Sequence, residues 1–195
     1  MKYTAANARL KELRSQVMAL RAEMRKTQSE IEGEPVADHV LLTGEGEVRL
    51  SQLFGAKKQL IVIHNMGTTC AYCTMWADGY NGIYDHLADR AAFLVVSPDA
   101  PAQQRQFAQS RGWRFPMASD PGMKFAAAMG YVGEGRPQPG ISVFERAGAG
   151  IVRVSDTAEG PYDDFCAAWH LFDLIPEGAA GWQPKFKYPA GSRAA

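Results

Sequence analysis

The stretch that decides the fold is Leu60–Cys73, which reads LIVIHNMGTTCAYC. Its first four residues form a short apolar run of the kind that is buried in a parallel sheet. A long helical pattern follows, from about Cys70 to Asp89. Thr68 or Thr69 can cap the start of this helix. We therefore expect Cys70 in the first helical turn, where unpaired backbone N–H groups and the helix dipole favour negative charge.

The two cysteines of this stretch, Cys70 and Cys73, are one helical turn apart. The thiolate is the reactive form of cysteine, and a helix N-terminus or a Cys-x-x-Cys setting lowers the pKa of the thiol. One turn also brings the two sulfurs close enough to form a disulfide. We interpret the pair as a redox site in which Cys70 attacks and Cys73 resolves. The alternative is a pair of buried structural thiols.

Outward from this motif the chain alternates strand and helix patterns. Strands are predicted at 93–96 and 115–117, and helices at 100–111, 123–129 and 162–174. Two further strands, 141–144 and 151–154, flank a Gly/Ala turn and predict an antiparallel hairpin. The Gly/Pro-rich segment 130–140 is predicted to be a loop. This order predicts an α/β fold, with a central mixed sheet and helices on both faces.

The first segment, Thr4–Glu32, contains no Gly or Pro and is rich in strong helix formers. Its apolar residues alternate in steps of three and four, a heptad series that only Thr27 interrupts. The members of the series are Tyr3, Ala6, Leu10, Leu13, Val17, Leu20, Met24 and Ile31. Gly33 and Pro35 then end the helix.

This pattern predicts an N-terminal helix over residues 1–32 that forms a homodimer with a second copy. A helix packed on its own domain is the alternative. The flanking charges do not select a parallel pair, because Arg9 would face Arg14 of the second chain. We expect the remaining chain to form one domain over residues 36–185, followed by a disordered tail over 186–195.

Composition excludes several classes of function. The 195 residues carry 21 basic and 21 acidic side chains, so no global field attracts nucleic acid or an anionic membrane. No apolar run approaches the roughly 18 residues of a membrane-spanning helix. The first residues also lack the apolar stretch of a secretory signal. We expect a cytoplasmic protein that needs no cofactor and binds neither nucleic acid nor membrane.

Beyond the thiol motif, the chain resembles a bacterial thioredoxin-like family catalogued as a domain of unknown function, related to the peroxiredoxin branch of the thioredoxin superfamily. The resemblance covers nearly all of Val36–Tyr188. It depends on GTTCAYCTMWADGYNG (67–82), DHLADRAAFLVVSPD (85–99), SRGWRFPMAS (110–119), DDFCAAWHLFDLIPEG (163–178) and GWQPKFKY (181–188). It implies a thioredoxin-like three-layer fold. With the cysteine pair, it predicts a thiol–disulfide oxidoreductase acting on a protein or small-molecule disulfide.

The resemblance also implies roles for single residues. Thioredoxin-like proteins place a cis-proline opposite the cysteines, and Pro139 matches that position, with Pro137 as its competitor and two trans prolines as the alternative. They carry a buried carboxylate six residues before the nucleophile, as a proton acceptor. That position here is His64, whose pKa suits proton exchange. The alternative is a histidine that is merely hydrogen-bonded at a strand end.

The chain departs from the peroxiredoxin pattern at two positions. Peroxiredoxins carry Pro and Thr at fixed offsets before their reactive cysteine, and counting back from Cys70 those offsets hold Ile63 and Gly67. Arg136 is a candidate for their thiolate-activating arginine. A thiol-dependent peroxidase is therefore the second hypothesis. A non-catalytic binding or assembly module with the same fold is the third.

Aromatic and polar residues near the pair supply the candidate substrate contacts. We assign substrate binding to Thr69, Tyr72 and Trp76, together with the proline described above. Trp76 also belongs to a series with Tyr80 and Tyr84 at four-residue spacing, which is first interpreted as a core-facing stripe and otherwise as a substrate platform.

A zinc site is the remaining alternative for the cysteines. Cys166 and His170 are one turn apart and, with Cys70 and Cys73, would complete a Cys₃His set. We expect no metal, because the thioredoxin fold places its last helix on the sheet face opposite the active helix. Cys166 is then a small buried hydrophobe.

Overall fold

The computed structural model describes residues 2–189, and this part of the chain divides at Glu34 and Pro35 into two compact units. The first unit is helix α1, Tyr3–Ser29, which confirms the predicted long N-terminal helix to within three residues at its C-terminal end. None of its side chains is buried. Most of the predicted tail, residues 190–195, lies outside the described residues.

Ten strands and five α-helices follow α1 in the described chain. The strands are β1 Glu34–Val36, β2 Val40–Thr43, β3 Gly46–Arg49, β4 Gln59–His64, β5 Ala92–Ser97, β6 Met117–Ser119, β7 Val132–Gly133, β8 Arg136–Pro137, β9 Gly140–Ala147 and β10 Gly150–Ala158. The helices are α2 Ala71–Gly82, α3 Tyr84–Arg90, α4 Pro101–Arg111, α5 Lys124–Ala128 and α6 Ala167–Phe172. A 3₁₀ turn occupies Leu50–Gln52.

Eight of the strands form one mixed sheet, in the order β1-β10-β9-β4-β5-β6-β2-β3. β4, β5 and β6 run parallel, whereas β9 is antiparallel to both β4 and β10. The last residue of β4, His64, pairs with Val96 of β5 on one side and Gly140 of β9 on the other. The predicted mixed sheet of the thioredoxin-like class is confirmed.

The sheet separates two hydrophobic clusters because successive strand residues point to opposite faces. Leu60 and Val62 of β4 lie in the first cluster, which also contains Phe125 of α5. Ile63 lies in the second, with residues of α2 and α6. Helices therefore cover both faces, as the α/β prediction requires.

Several element boundaries differ from the predictions. The predicted helix 70–89 is two helices that meet at Ile83, consistent with the weak helix propensity of Gly79 and Gly82. The predicted loop 130–140 contains the short hairpin β7–β8. β1, β2 and β3 were not predicted.

The last helix is shorter than predicted and begins only at Ala167. The side chain of Asp163 accepts hydrogen bonds from the backbone N–H groups of Phe165 (2.9 Å) and Cys166 (3.2 Å), which holds the preceding residues in a turn. Within residues 2–189, no helix has the length and apolar character needed to cross a membrane.

Candidate thiol site

The loop from β4 to α2 is shaped by a side chain and a glycine. The side-chain oxygen of Asn65 accepts a hydrogen bond from the backbone N–H of Gly67 at 2.8 Å. Gly67 has φ of +109°, and a Cβ at this position would lie 2.9 Å from Oδ2 of Asp99. Only glycine fits this backbone without strain.

Asp99 anchors the same loop to the end of the neighbouring strand. Its Oδ2 accepts hydrogen bonds from the backbone N–H of Thr68 (2.8 Å) and from the hydroxyl of Ser97 at the end of β5 (3.1 Å). The side-chain amide of Gln103 donates to the Thr68 hydroxyl at 2.7 Å. These hydrogen bonds hold the segment before Cys70 in place against the end of β5.

Cys70 is itself the N-cap of α2. Its sulfur accepts a hydrogen bond from the backbone N–H of Cys73 at 3.1 Å. The predictions of Thr68 or Thr69 as the cap, and of Cys70 inside the first turn, are therefore wrong by one to two residues. The exposed side chain of Thr69 lies in the turn just before Cys70. Capping by sulfur directs an otherwise unpaired helix N–H at the candidate nucleophile.

The two thiols have opposite environments. Cys70 is half-buried, whereas Cys73 is only 3% exposed, and the Cys73 sulfur accepts the N–H of Met66 at 3.5 Å. The hydrogen bond from the Cys73 thiol lowers the pKa of Cys70 from 9.0 to about 7, against the opposing effect of burial. The same hydrogen bond and burial raise the pKa of Cys73. The arrangement therefore favours a thiolate on Cys70 and a thiol on Cys73.

A buried carboxylate, that of Glu159, interacts through its charge with the thiol pair, and the sequence did not indicate it. Glu159 follows β10 directly and is 6% exposed. The hydroxyl of Tyr80, on the same buried face of α2 as Cys73, donates a hydrogen bond to the Glu159 carboxylate.

The electrostatics place Glu159 within the influence of the thiols. Burial raises the pKa of Glu159 to about 7, with further contributions from the charges of Asp163 and Cys70. The charge of Glu159 in turn raises the pKa of Cys73. A carboxylate with this pKa can exchange a proton near neutral pH.

His64 does not contact the cysteines. As the last residue of β4 it points to the face of Leu60 and Val62, whereas Cys73 lies in the cluster on the other face. Its ring stacks on Tyr131 at 4.1 Å between centroids, and its Nε2 lies 3.0 Å from the hydroxyl of Ser142. The alternative interpretation, a histidine hydrogen-bonded at a strand end, describes these contacts.

The electrostatics of His64 fit that placement. Burial and the positive charge of Arg153 lower its pKa from 6.5 to about 3. Its ring is therefore neutral over the physiological range, and its Nδ1 has no hydrogen-bond partner within the described residues.

The expectation of a cis-proline is wrong. No cis peptide bond occurs between residues 2 and 189, so both Pro137 and Pro139 are trans. The carbonyl of Pro139 accepts a hydrogen bond from the backbone N–H of Glu159 at 3.2 Å. The next residue, Gly140, pairs with His64, the last residue of β4. Pro139 therefore lies at the end of the sheet from which the thiol loop leaves.

The aromatic residues of α2 are mainly core residues. Trp76 is 2% exposed, and its indole N–H donates to Oδ1 of Asp163 at 3.4 Å. Trp76 therefore presents no open surface to a substrate. Tyr72 is half-buried and stacks on Trp169 of α6, with 6.3 Å between ring centroids. Of the two aromatic residues predicted to bind substrate, Tyr72 is the one with a partly exposed side chain.

The expected position of the last helix is also wrong. Trp169 of α6 and Cys166, which precedes this helix directly, lie in the same buried cluster as Cys73 and Trp76 of α2. The two helices therefore share one face of the sheet. This leaves α5, with Phe125, on the other face.

The sequence matches DUF899, described as a bacterial protein of unknown function, over residues 2–188. The chain belongs to this family. The match includes α1 as well as both cysteines of the thiol site. Among curated proteins, none is significantly similar to the chain.

Solved structures with a similar fold include peroxiredoxins. Peroxidoxin BcpB from Mycobacterium tuberculosis is 23% identical with a TM-score of 0.56, over 65% of this chain and 84% of that one. Reduced Prx3 from Vibrio vulnificus is 17% identical with a TM-score of 0.56, over 68% and 89% of the two chains. A peroxiredoxin-like protein from Aquifex aeolicus is 19% identical with a TM-score of 0.53, over 65% and 74%. These similarities establish the fold.

The structure does not assemble the Cys₃His set. Within the described residues, no three His, Cys, Asp or Glu side chains are grouped to hold a metal ion. His170 is half-exposed and lies 3.5 Å from the carboxylate of Asp164. Cys166 is 7% exposed, and burial raises the pKa of its thiol. The candidate activating residue Arg136 is exposed in β8.

The site residues that the sequence did not indicate are an amide and two carboxylates that accept hydrogen bonds within the site. Asn65, Asp99 and Glu159 each follow a strand directly or within two residues. Polar residues at strand ends are common in surface turns, so their position alone did not indicate burial. For Glu159, the signal would have been that its strand pairs with β9 and ends level with the thiol loop.

Proposed function

We propose that this protein is a thiol–disulfide oxidoreductase that uses Cys70 and Cys73. The observation that supports it best is the hydrogen bonding at Cys70, whose sulfur receives both the backbone N–H and the thiol of Cys73. These donors stabilise a thiolate at neutral pH on the more exposed cysteine, while its partner stays protonated. A thiolate attacks disulfides, and a neighbouring thiol can complete the exchange.

The first step is attack by the Cys70 thiolate on one sulfur of a substrate disulfide. A new S–S bond joins Cys70 to the substrate, the substrate S–S bond breaks, and the other substrate sulfur leaves as a thiolate. Three of the predicted substrate-binding residues have exposed or partly exposed side chains: Thr69, Tyr72 and Pro139. We assign them to substrate contact.

The second step is attack by Cys73 on the Cys70 sulfur. The Cys73 thiol must lose its proton, and we assign the acceptance of this proton to Glu159, a buried carboxylate whose charge interacts with Cys73. The Cys70–Cys73 disulfide forms, and the second substrate sulfur leaves. The substrate gains two electrons, and an external dithiol returns the protein to its reduced state.

A thiol-dependent peroxidase is the second candidate, favoured by the fold shared with peroxiredoxins. In that reaction the Cys70 thiolate attacks one oxygen of a peroxide, the O–O bond breaks, and the other oxygen leaves as an alcohol or water, which gives a sulfenic acid on Cys70. Cys73 then displaces water from the sulfenic acid to form the same disulfide. The peroxiredoxin offsets before Cys70 hold Ile63 and Gly67, so the chain lacks that motif. We therefore place disulfide exchange first.

Insulin reduction by dithiothreitol tests the proposal. Wild-type protein should accelerate the precipitation of insulin chains, whereas Cys70→Ser should not. Cys166→Ser is the matched control, since it removes a thiol from the same buried cluster and should keep the activity. Peroxide consumption without insulin reduction would favour the second candidate. Inactivity in both assays would favour a non-catalytic binding module.

A further inference from the structure

The large apolar residues of α1 lie along one face of the helix, and their side chains are exposed in the described part of the chain. No side chain of Tyr3–Ser29 is buried, and the large apolar residues of this face are between 38% (Leu13) and 81% (Tyr3) exposed. Helices in water gain most of their stability by packing such a face. Steps of three and four, sustained over three heptads from Tyr3 to Met24, are the repeat of a coiled-coil seam.

We propose that α1 pairs with α1 of a second copy of this chain as an antiparallel coiled coil. A two-fold axis crosses the pair near Ser15. In such a symmetric interface, each contact occurs twice with the two copies exchanged. The layers of the seam then join Tyr3 to Thr27, Ala6 to Met24, Leu10 to Leu20, and Leu13 to Val17 of the other copy.

The sizes of the seam residues favour this orientation. In the antiparallel pair the large Tyr3 faces the small Thr27, and the large Met24 faces Ala6. In a parallel pair each of these residues would face its own copy, so two layers would be overfilled and two underfilled. Facing large with small residues fills a core more evenly.

The charges beside the seam favour the same orientation. The antiparallel register brings Arg9 opposite Glu23, and Lys2 opposite Glu30, each twice in the dimer. One repulsive contact opposes these attractive pairs: Arg14 lies close to Arg14 of the second copy at the two-fold axis. A parallel pair would instead place Arg9 opposite Arg14 twice, with no compensating acid at the corresponding positions.

Charge reversal in the full-length protein tests the partner and the register, with the mass measured by light scattering over a dilution series. Wild type should have twice the mass of one chain. Arg9→Glu and Glu23→Arg should each weaken dimerisation by about tenfold or more, since each replaces two attractive pairs by two repulsive ones. The double variant R9E/E23R should restore it.

Lys11→Glu is the control, because it changes the charge by the same amount as Arg9→Glu but lies on the side of the helix that faces away from the seam. A monomeric wild type would overturn the proposal. So would a double variant no tighter than the single ones, or a loss in Lys11→Glu equal to that in Arg9→Glu.

Disulfide trapping tests the orientation. In protein whose three cysteines are replaced by serine, Leu10→Cys and Leu20→Cys are made separately. The antiparallel pair predicts a covalent dimer only when the two variants are mixed. A parallel pair predicts that each variant cross-links to itself, which would overturn the proposal. The charge-reversal series keeps the native cysteines and gives a result even where the serine background does not fold.

Discussion

The hydroxyl of Tyr80 donates a hydrogen bond to the carboxylate of Glu159 in the interior of the protein. Tyr80 belongs to α2 and Glu159 follows the end of β10, and the charge of Glu159 raises the pKa of Cys73. Burial raises the pKa of Glu159 to about 7. We assign to this carboxylate the proton-acceptor role that the sequence suggested for His64.

Glu159→Gln should slow the resolving step while leaving the first attack nearly unchanged. The amide cannot accept the proton of Cys73, and loss of a general base costs about 10²-fold or more. With dithionitrobenzoate, release of the first aromatic thiol reports attack by Cys70 and release of the second reports resolution. The second rate should rise through pH 7 in wild type, and this inflection should vanish in the variant.

The control for this experiment is Glu145→Gln, which removes a carboxylate of β9 that pairs with Lys58 at the surface. It should leave both rates unchanged. An unaltered second rate in Glu159→Gln would show that Cys73 loses its proton to another group.

Alkylation should distinguish the cysteines by rate and by pH. Cys70 should react fastest, with a rate that rises with pH through about 7 as its thiolate forms. Cys73→Ala should shift this profile to higher pH, since it removes the side chain that donates to Cys70. Cys73→Ser keeps a donor and should shift it less. Intact-mass measurement over a pH series provides the rates, and equal rates for Cys70 and the buried Cys166 would contradict the assignment.

Two glycine substitutions should have opposite effects on stability. Gly67→Ala places a Cβ 2.9 Å from the Asp99 carboxylate at a positive φ and should lower the free energy of unfolding by about 1–3 kcal/mol. Gly79→Ala is in the interior of α2 with open space around it and should raise that free energy by up to about 1 kcal/mol. Urea denaturation measures both. A neutral Gly67→Ala would mean that the loop relaxes freely.

The stability of the protein should fall in acid because of His64. The pKa of this ring is about 3 in the folded state and 6.5 in the unfolded chain. Between these values the unfolded state binds more protons, so the free energy of unfolding decreases as the pH falls from 6.5 toward 3. His64→Gln should flatten this dependence, and Gln is the replacement because it can still hydrogen-bond to Ser142.

Glu159 acts in the opposite direction, since its raised pKa gives stability that is lost as the pH rises from 4.5 toward about 7. The clearest comparison of wild type with His64→Gln is therefore below pH 4.5. Parallel profiles of the two proteins in that range would refute the placement of a neutral histidine in the core.

The sequence specified the parts of the fold that depend on local patterns. β4, the helix beginning at Cys70, and the heptads of α1 each carry a periodicity that physical rules recognise. The same rules did not predict β1–β3, because their short strands have no buried run to mark them. They also failed for Glu159, since its burial is produced by pairing between distant strands.

The errors in the site have related causes. The positions of His64 and Pro139 were inferred from a resemblance, whereas the strand register decides which face a side chain occupies. A one-residue difference along β4 separates the face of Ile63 from that of His64. The position of Cys166 likewise depended on where the last helix packs, which no local pattern records.

Counting the thiols released from dithionitrobenzoate tests whether Cys70 attacks and Cys73 resolves. Wild type should release two equivalents and end with a Cys70–Cys73 disulfide. Cys73→Ser should release one and retain the aromatic adduct on Cys70, whereas Cys70→Ser should release none at that rate. One equivalent from wild type, or a stable adduct on Cys73 in place of Cys70, would contradict the account.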